Sequence, residues 1–228
     1  MRVFDADPVG VYEISQLTAS GSKLFFTAYD LTSGTELWAT DGTSAGTAQV
    51  LDINLDQTIA DGPRELTDVN GTLFFSSYTN GYDNRELFQS DGTAVGTVLV
   101  ANVDGDLLES SDPRELTNVG GTLYFVADDP TTGVELYTST GASGTTARVA
   151  DLNPGFASSY PEGLTPFDGQ VFFSADDGSG QQLFKSDGSA ITLVANTTPD
   201  QGGSSQPSEL TVVGNELFFV AVGGKIPG

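Results

Sequence analysis

The chain of 228 residues contains no cysteine and no histidine. The first absence excludes disulfides, a thiol nucleophile and thiolate metal sites. The second removes the side chain most often used as a general base, together with the usual zinc or copper ligand. Basic residues are scarce: 8 Lys and Arg stand against 31 Asp and Glu, a net charge of −23. Such a surface repels phosphate, so neither nucleic acid nor an anionic membrane is an expected partner. It attracts cations and keeps the chain soluble. No apolar run approaches ~18 residues, so no membrane insertion is expected. No segment carries a helical period with caps. No signal peptide is visible, since Met1 leads directly into the strand-like Val3-Phe4-Asp5.

What is there is a repeat. Glu36-Leu37-Trp38-Ala39-Thr40-Asp41-Gly42-Thr43 returns as Glu86-Leu87-Phe88-Gln89-Ser90-Asp91-Gly92-Thr93. It returns eroded as Glu135-Leu136-Tyr137, and again as Gln182-Leu183-Phe184-Lys185-Ser186-Asp187-Gly188-Ser189. The Leu positions step by 50, 49 and 47 residues. A unit of that size cannot bury a core alone, so the repeats must share one. The 28 Gly and 14 Phe fit short strands joined by tight turns.

Each repeat reads as four strands, A to D. In the clearest copy Leu66 to Val69 is A, and Asn70-Gly71 is a tight hairpin turn. Thr72 to Tyr78 is B, Arg85 to Ser90 is C, Asp91 to Thr97 is a turn, and Val98 to Val103 is D. Strand A begins at Leu17, Leu66, Leu116, Leu164 and Leu210, each followed by Thr. Strand B carries Leu24-Phe25-Phe26, Leu73-Phe74-Phe75, Leu123-Tyr124-Phe125, Val171-Phe172-Phe173 and Leu217-Phe218-Phe219. Five A–B hairpins in phase predict an all-β fold, a β-propeller of five blades, because ring closure hides sheet edges. A linear solenoid is the alternative. Residues 1–228 form one domain on this reading. Its repeats cover about 6–53, 54–103, 104–152 and 153–197, with 198–228 plus 1–5 as a partial fifth blade. Arg2-Val3-Phe4-Asp5 matches strand D, and the piece without a counterpart is one strand C with its turn. The expectation is that the native polypeptide continues beyond Gly228 with another Glu-Leu-aromatic segment.

These motifs resemble the bacterial family named for its ELWxxDGT repeat, which Glu36 to Thr43 matches in full and Glu86 to Thr93 matches with Phe88 for Trp. The likeness covers nearly the whole chain. It implies a propeller-like repeat in large secreted or surface proteins, and so an extracellular or cell-surface location. It implies no settled activity and supplies no catalytic residues.

A recurring carboxylate is expected to make the same structural bond in each blade, which is the reading for Glu36, Glu86 and Glu135. Asp41, Asp91 and Asp187 open the C–D turn, where an Asp side chain accepts backbone N–H groups. Their placement is similar to the structural Asp-box turns of sialidase-type propellers, with a different spacing. Glycoside hydrolysis needs two paired carboxylates. The candidates outside the repeat are Asp68 and Asp168, whose strand-A counterparts Ala19, Asn118 and Val212 form no acidic ring. No catalytic residue is assigned. Calcium takes 6 to 8 oxygen ligands, and the B–C loops offer Asp30, Asp83 and the candidate set Asp128, Asp129, Asp176 and Asp177. The D–A loops add Asp5, Asp7, Asp104, Asp106 and Asp112. None matches an EF-hand or a nonapeptide array, and a polar turn without metal is the simpler reading. Arg64 and Arg114 are expected to pair with a carboxylate such as Glu65 or Glu115 of another blade. Thr18, Thr67, Thr117, Thr165 and Thr211 are expected to form one row. Asn70-Gly71-Thr72 fits a glycosylation sequon but lies in a hairpin turn. The function expected is a non-enzymatic scaffold or binding module for an unidentified protein or glycan. A calcium-dependent adhesin, and a glycosidase-like propeller after it, are the alternatives.

Overall fold

A computed structural model describes residues 11–53, 62–79, 84–103, 105, 110–195 and 204–222. Among them are eighteen strands and no helix. The chain separates into two compact units, residues 1–116 and 117–228. The first holds β1 (Val11–Ser20), β2 (Lys23–Asp30), β3 (Gly34–Thr40) and β4 (Ala48–Leu51), followed by β5 (Arg64–Val69), β6 (Thr72–Tyr78), β7 (Arg85–Ser90) and β8 (Val98–Ala101). Strand β9 (Arg114–Val119) crosses into the second unit. There follow β10 (Thr122–Asp129), β11 (Gly133–Ser139), β12 (Ala147–Arg148), β13 (Glu162–Phe167), β14 (Gln170–Asp176), β15 (Gln181–Ser186) and β16 (Ile191–Ala195). A final hairpin comprises β17 (Ser208–Val213) and β18 (Glu216–Val220). The strands form four four-stranded sheets, each pairing neighbours in sequence, and one two-stranded sheet. The fold is all-β, of the β-propeller class, and each meander is a blade.

Strands B and C fall where the aromatic triplets and the Glu-Leu-aromatic motifs place them. Their register repeats: Phe26 faces Trp38, Phe75 faces Phe88, Phe125 faces Tyr137 and Phe173 faces Phe184. Each pair stacks, with ring centroids 5.7 to 6.4 Å apart. Stacked aromatic pairs of this kind add about 0.5–1.5 kcal/mol beyond their burial. Strand D is shorter than expected, ending at Ala101 rather than Val103, and only two residues long at β12.

Strand A starts earlier than its Leu and carries a bulge. In β5 the register shifts between Arg64 and Thr67, and β13 and β17 shift at the same place. The residue before the Leu is left-handed throughout: Gln16 (φ 52°), Glu65 (60°), Glu115 (55°), Gly163 (69°) and Glu209 (55°). An L-residue there costs roughly 1–2 kcal/mol, and Gly163 escapes that cost. Glu65 offsets part of it, since its Oε2 accepts the Leu116 N–H at 3.3 Å.

Packing between blades follows from the two faces of strand B. In the first unit Phe25, Leu37 and Val50 of one blade bury against Leu73, Phe75 and Phe88 of the next. In the second unit Tyr124 and Leu136 bury with Val171, Phe173 and Phe184. Each such side chain contributes about 1.5–3 kcal/mol on burial. The threonine row adds polar links within the first unit. Thr18 Oγ1 donates to the Leu66 carbonyl at 3.2 Å, and Thr67 Oγ1 to the Leu116 carbonyl at 3.0 Å.

Candidate functional site

The recurring polar groups can be followed atom by atom. Asp91 Oδ1 accepts the Thr93 N–H at 2.8 Å and the Thr93 hydroxyl at 2.7 Å. Thr93 Oγ1 in turn accepts the Gly96 N–H, and Thr97 donates back to the Thr93 carbonyl. The turn at Asp41, Thr43, Gly46 and Thr47 repeats every one of these bonds. Glycine is required at 46 and 96 because a Cβ there would fall on the Asp41 or Asp91 carboxylate. Asp187 makes the same first bonds with Ser189. Hydrogen bonds from Thr43, Thr93 and Ser189 hold these three carboxyls below the usual Asp value. The third copy has no Asp at this place. There Thr145 donates its N–H and hydroxyl to the Ala142 carbonyl instead.

The strand-C carboxylate is buried and bridges to the loop that leads into the next strand A. Glu86 Oε1 accepts the Ser111 N–H at 3.2 Å, and the Ser111 hydroxyl donates to Oε2. Glu135 accepts the Ser159 N–H at 3.1 Å, the Ser159 hydroxyl at 2.6 Å and the Leu152 N–H at 3.3 Å. In the fourth copy Gln182 Oε1 accepts the Ser205 hydroxyl at 3.1 Å. Glu36 Oε2 accepts the Ile53 N–H. Burial raises the Glu135 carboxyl above its ordinary range, against the hydrogen bonds from Ser159 and Leu152. The serines Ser111, Ser159 and Ser205 were not singled out from sequence, although a Ser-x-Pro signal recurs at all three.

Asp68 and Asp168, the hydrolase candidates, both belong to A–B hairpins. Asp68 Oδ1 accepts the Gly71 N–H at 3.1 Å, and Asn118 Oδ1 accepts the Gly121 N–H at 2.9 Å in the matching turn. An amide therefore serves where Asp68 stands, and its charge is not needed for the bond. Asp168 is itself a turn residue at φ 50°. With Phe167 and Val212 it lines an open cleft of ≈ 480 Å³ in the second unit. A polar cleft of ≈ 390 Å³ in the first unit is lined by Glu13, Ser15, Gln16, Thr35 and Arg64 among others. Arg114 Nη1 lies 3.4 Å from Asp112 in its own approach to strand A, and Glu65 accepts the Leu116 N–H.

The calcium candidates sit on two loops. Asp128 and Asp129 end β10, and adjacent strand residues point to opposite faces. Asp129 Oδ1 accepts the Thr131 N–H and hydroxyl. Asp176 Oδ1 accepts the Gly178 and Gly180 N–H groups. Asp177 Oδ1 accepts the Ser179 N–H and hydroxyl. Asp30 repeats the Asp129 arrangement with Thr32 and Ser33. Among the described residues no group of three or more Asp, Glu, His or Cys converges as a metal site. Asp5, Asp7, Asp83, Asp104 and Asp106 lie outside the described residues, as do the strand-D match at Arg2–Asp5 and the expectation at Gly228.

One pH prediction follows from Asp30. Burial works to raise its carboxyl, but the hydrogen bonds from Ser33 and Thr32 outweigh it and hold it at about 2. A depressed carboxyl contributes stability above its unfolded value of 3.8, and loses it as pH falls through about 2. Replacing Asp30 with Asn, which keeps the turn acceptor, is expected to flatten the acid limb between those values. Denaturation curves from pH 4 to 2 check this, and an unchanged slope contradicts it.

No protein-family model and no curated protein matches the chain. Among solved structures it is similar to an acylaminoacyl peptidase from Pyrococcus horikoshii, with a TM-score of 0.49 and 10% identity over 79% of this chain. It is similar to TolB from Acinetobacter baumannii at a TM-score of 0.43 and 17% identity over 84% of this chain. It is also similar to the β-propeller domain of the Trilobed protease from Pyrococcus furiosus, at a TM-score of 0.42 and 13% identity, covering 81% of this chain and 69% of that one. The chain spans 27% of the length of the first and 45% of the second. Nothing about activity passes from these proteins to this chain.

Proposed function

We propose that the chain is a non-enzymatic binding module, a five-bladed propeller of ELWxxDGT-type repeats in a secreted or surface-displayed bacterial protein. The observation that carries this reading is the repeated use of its carboxylates. Glu86 and Glu135 each hold a serine of the following loop, and Asp41, Asp91 and Asp187 each hold their own turn. Groups engaged alike in successive blades build a frame, and a frame with open clefts beside strand A suits recognition of a glycan or protein. The test pairs a glycan array with turnover assays on chromogenic glycosides and peptide arylamides. Binding without turnover is expected. Turnover that disappears in Asp68→Asn or Asp168→Asn would favour the hydrolase instead.

The calcium-dependent adhesin is the second reading. It requires ligand oxygens that the Asp129, Asp176 and Asp177 turns already occupy in part. A cation that binds only the native state must raise the melting temperature. Millimolar calcium is expected to leave it unchanged relative to chelator, and a rise of several degrees would restore the adhesin.

A further inference from the structure

Neighbouring A–B hairpins meet differently in the two units. Each turns through two residues: Gly21-Ser22, Asn70-Gly71, Asp168-Gly169 and Gly214-Asn215. In the first unit the turns of the first and second blades approach at glycine. A Cβ placed on Gly21 would lie 3.2 Å from the Gly71 carbonyl oxygen, and one on Gly71 would lie 3.6 Å from the Gly21 Cα. In the second unit the fourth blade carries Asp168 where Gly21 stands, and the next hairpin carries Asn215 where Gly71 stands. Side chains at both positions hold the two turns apart. Between them opens the cleft of ≈ 480 Å³, lined by Pro166, Phe167, Asp168, Val212, Gly214 and Asn215. A Cβ on Gly169 or Gly214 would meet nothing within 4 Å.

The cleft belongs to the turn end of both hairpins. The pair Ser208↔Val220, where the chain enters β17 and leaves β18, lies about five residues or roughly 16 Å away along the strands. Phe167 takes the strand-A place of Val69 and Val119, which are buried in their blades, but is itself half-buried. It forms a T-shaped pair with Phe172, ring centroids 5.6 Å apart, which fixes the ring in the cleft wall. Asp68 is tied to its own turn through the Gly71 N–H. Among the described residues no hydrogen bond engages the Asp168 carboxylate or the Asn215 carboxamide. An oriented aromatic, two polar groups not used by the frame and a volume within the ~300–1,000 Å³ of small-molecule sites therefore come together here.

We propose that this cleft is a subsite for a neutral sugar residue of a glycan. The Phe167 ring covers the C–H face of the sugar, whose polarised hydrogens meet the negative π face. The Asp168 carboxylate accepts from sugar hydroxyls, and the Asn215 carboxamide both accepts and donates. No basic residue lines the cleft, and the net charge of −23 repels acidic sugars. Glycoside hydrolysis takes two carboxylates. Asp168 is the one ionisable residue of the lining, so the sugar is held and not cleaved. This inference names the site and the ligand class for the binding-module reading and rests on it.

The probes are neutral trisaccharides of glucose, galactose, mannose and N-acetylglucosamine, titrated into isotope-labelled protein, with trigalacturonic acid as the acidic sugar and choline as an organic cation. At least one neutral trisaccharide is expected to bind with a Kd of about 0.1–1 mM, shifting the amides of residues 167–169 and 212–215. Phe167→Ala should weaken it about tenfold. Asp168→Gly, which suits the left-handed turn at φ 50°, should do the same. Asp168→Asn keeps an oxygen acceptor and should lose less. Asp168→Gly combined with Asn215→Gly restores the glycine pair of the first unit and should abolish binding. Asn70→Gly, in the matching turn of the first unit, should leave it unchanged. No neutral trisaccharide bound at 20 mM, binding indifferent to Phe167→Ala and Asp168→Gly, or tighter binding of trigalacturonic acid or choline would each overturn the proposal. If the subsite fails while an array gives a protein ligand or a glycan bound elsewhere, the module reading stands. Silence of both arrays removes that reading as well.

Discussion

Replacing Glu135 with Ala is expected to destabilise the protein by about 3 kcal/mol. The substitution removes the acceptor of the Leu152 N–H, the Ser159 N–H and the Ser159 hydroxyl in one step. Ser159 keeps a second acceptor in the Val134 carbonyl, so the main losses are the orphaned Leu152 N–H and the cavity. For a chain of this size the midpoint of thermal unfolding should fall by about 6–12 °C. Glu135→Gln is expected to cost less, since Gln182 fills the equivalent place in the fourth copy and still receives its serine. Glutamine brings one acceptor where glutamate brings two, so the loss is not zero. The two variants also separate by pH. A carboxyl raised by burial binds its proton more tightly when folded, so its contribution declines as pH rises beyond the ordinary Glu value of 4.5. The Gln variant should therefore gain on the wild type across that rise. Denaturant curves at pH 4 and pH 7 measure both effects, and an Ala variant as stable as the wild type would show that the bridge contributes nothing.

The second large effect is expected at Arg85, which is 3% exposed. Its guanidinium donates to the Ser76 carbonyl at 3.0 Å and to the Gly62 carbonyl at 3.2 Å. It also lies 4.2 Å from the centre of the Tyr78 ring. One planar fork thus joins strand β6, the loop entering strand β5, and an aromatic face. Arg85→Ala removes all three contacts and should cost about 3 kcal/mol. Arg85→Lys keeps the charge but not the fork, and an ammonium is harder to strip of water. It is expected to lose about 2 kcal/mol, so that charge alone does not restore stability. Equilibrium unfolding of both variants decides the point, and full recovery in Arg85→Lys would refute the role given to the planar fork.

Arg85 also shows where sequence reading stops. Its counterparts in the other repeats are Thr35, Val134 and Gln181, so periodicity gives it no role and only the fold brings Gly62 within its reach. The reverse holds for strands B and C. Leu-Phe-Phe and Glu-Leu-aromatic motifs place them because cross-strand stacking needs a ring at a fixed position in each, and β6 and β7 begin and end where expected. Strand A was legible in phase but not in shape. A left-handed Glu65 or Glu115 looks like any strand residue, and the one hint was Gly163 standing in line with them. The structural bond of the recurring Glu was foreseen from its repetition, whereas its serine partners were not. The acidic loops illustrate a further limit. An Asp beside Gly and Ser reads alike whether its oxygen is open to a cation or, like Asp176 Oδ1, accepts two N–H groups of its own loop.

The pairing of every described strand with its neighbour in sequence bears on how the chain reaches its fold. Ladders between sequence neighbours close short loops, and loop closure is the entropy that must be lost before contacts compensate it. The Asp91–Thr97 turn closes its own bonds over seven residues, so a C–D hairpin can form before any other blade is in place. Strand hairpins of that kind form in about 1–10 μs. The slow step then falls to docking one meander on the next, where Phe88 must find Phe25 and Leu37. Changes in the turn should accordingly appear in the folding limb of a chevron only to the extent that the hairpin is present at the barrier. Changes at the Phe88 contact should accelerate unfolding.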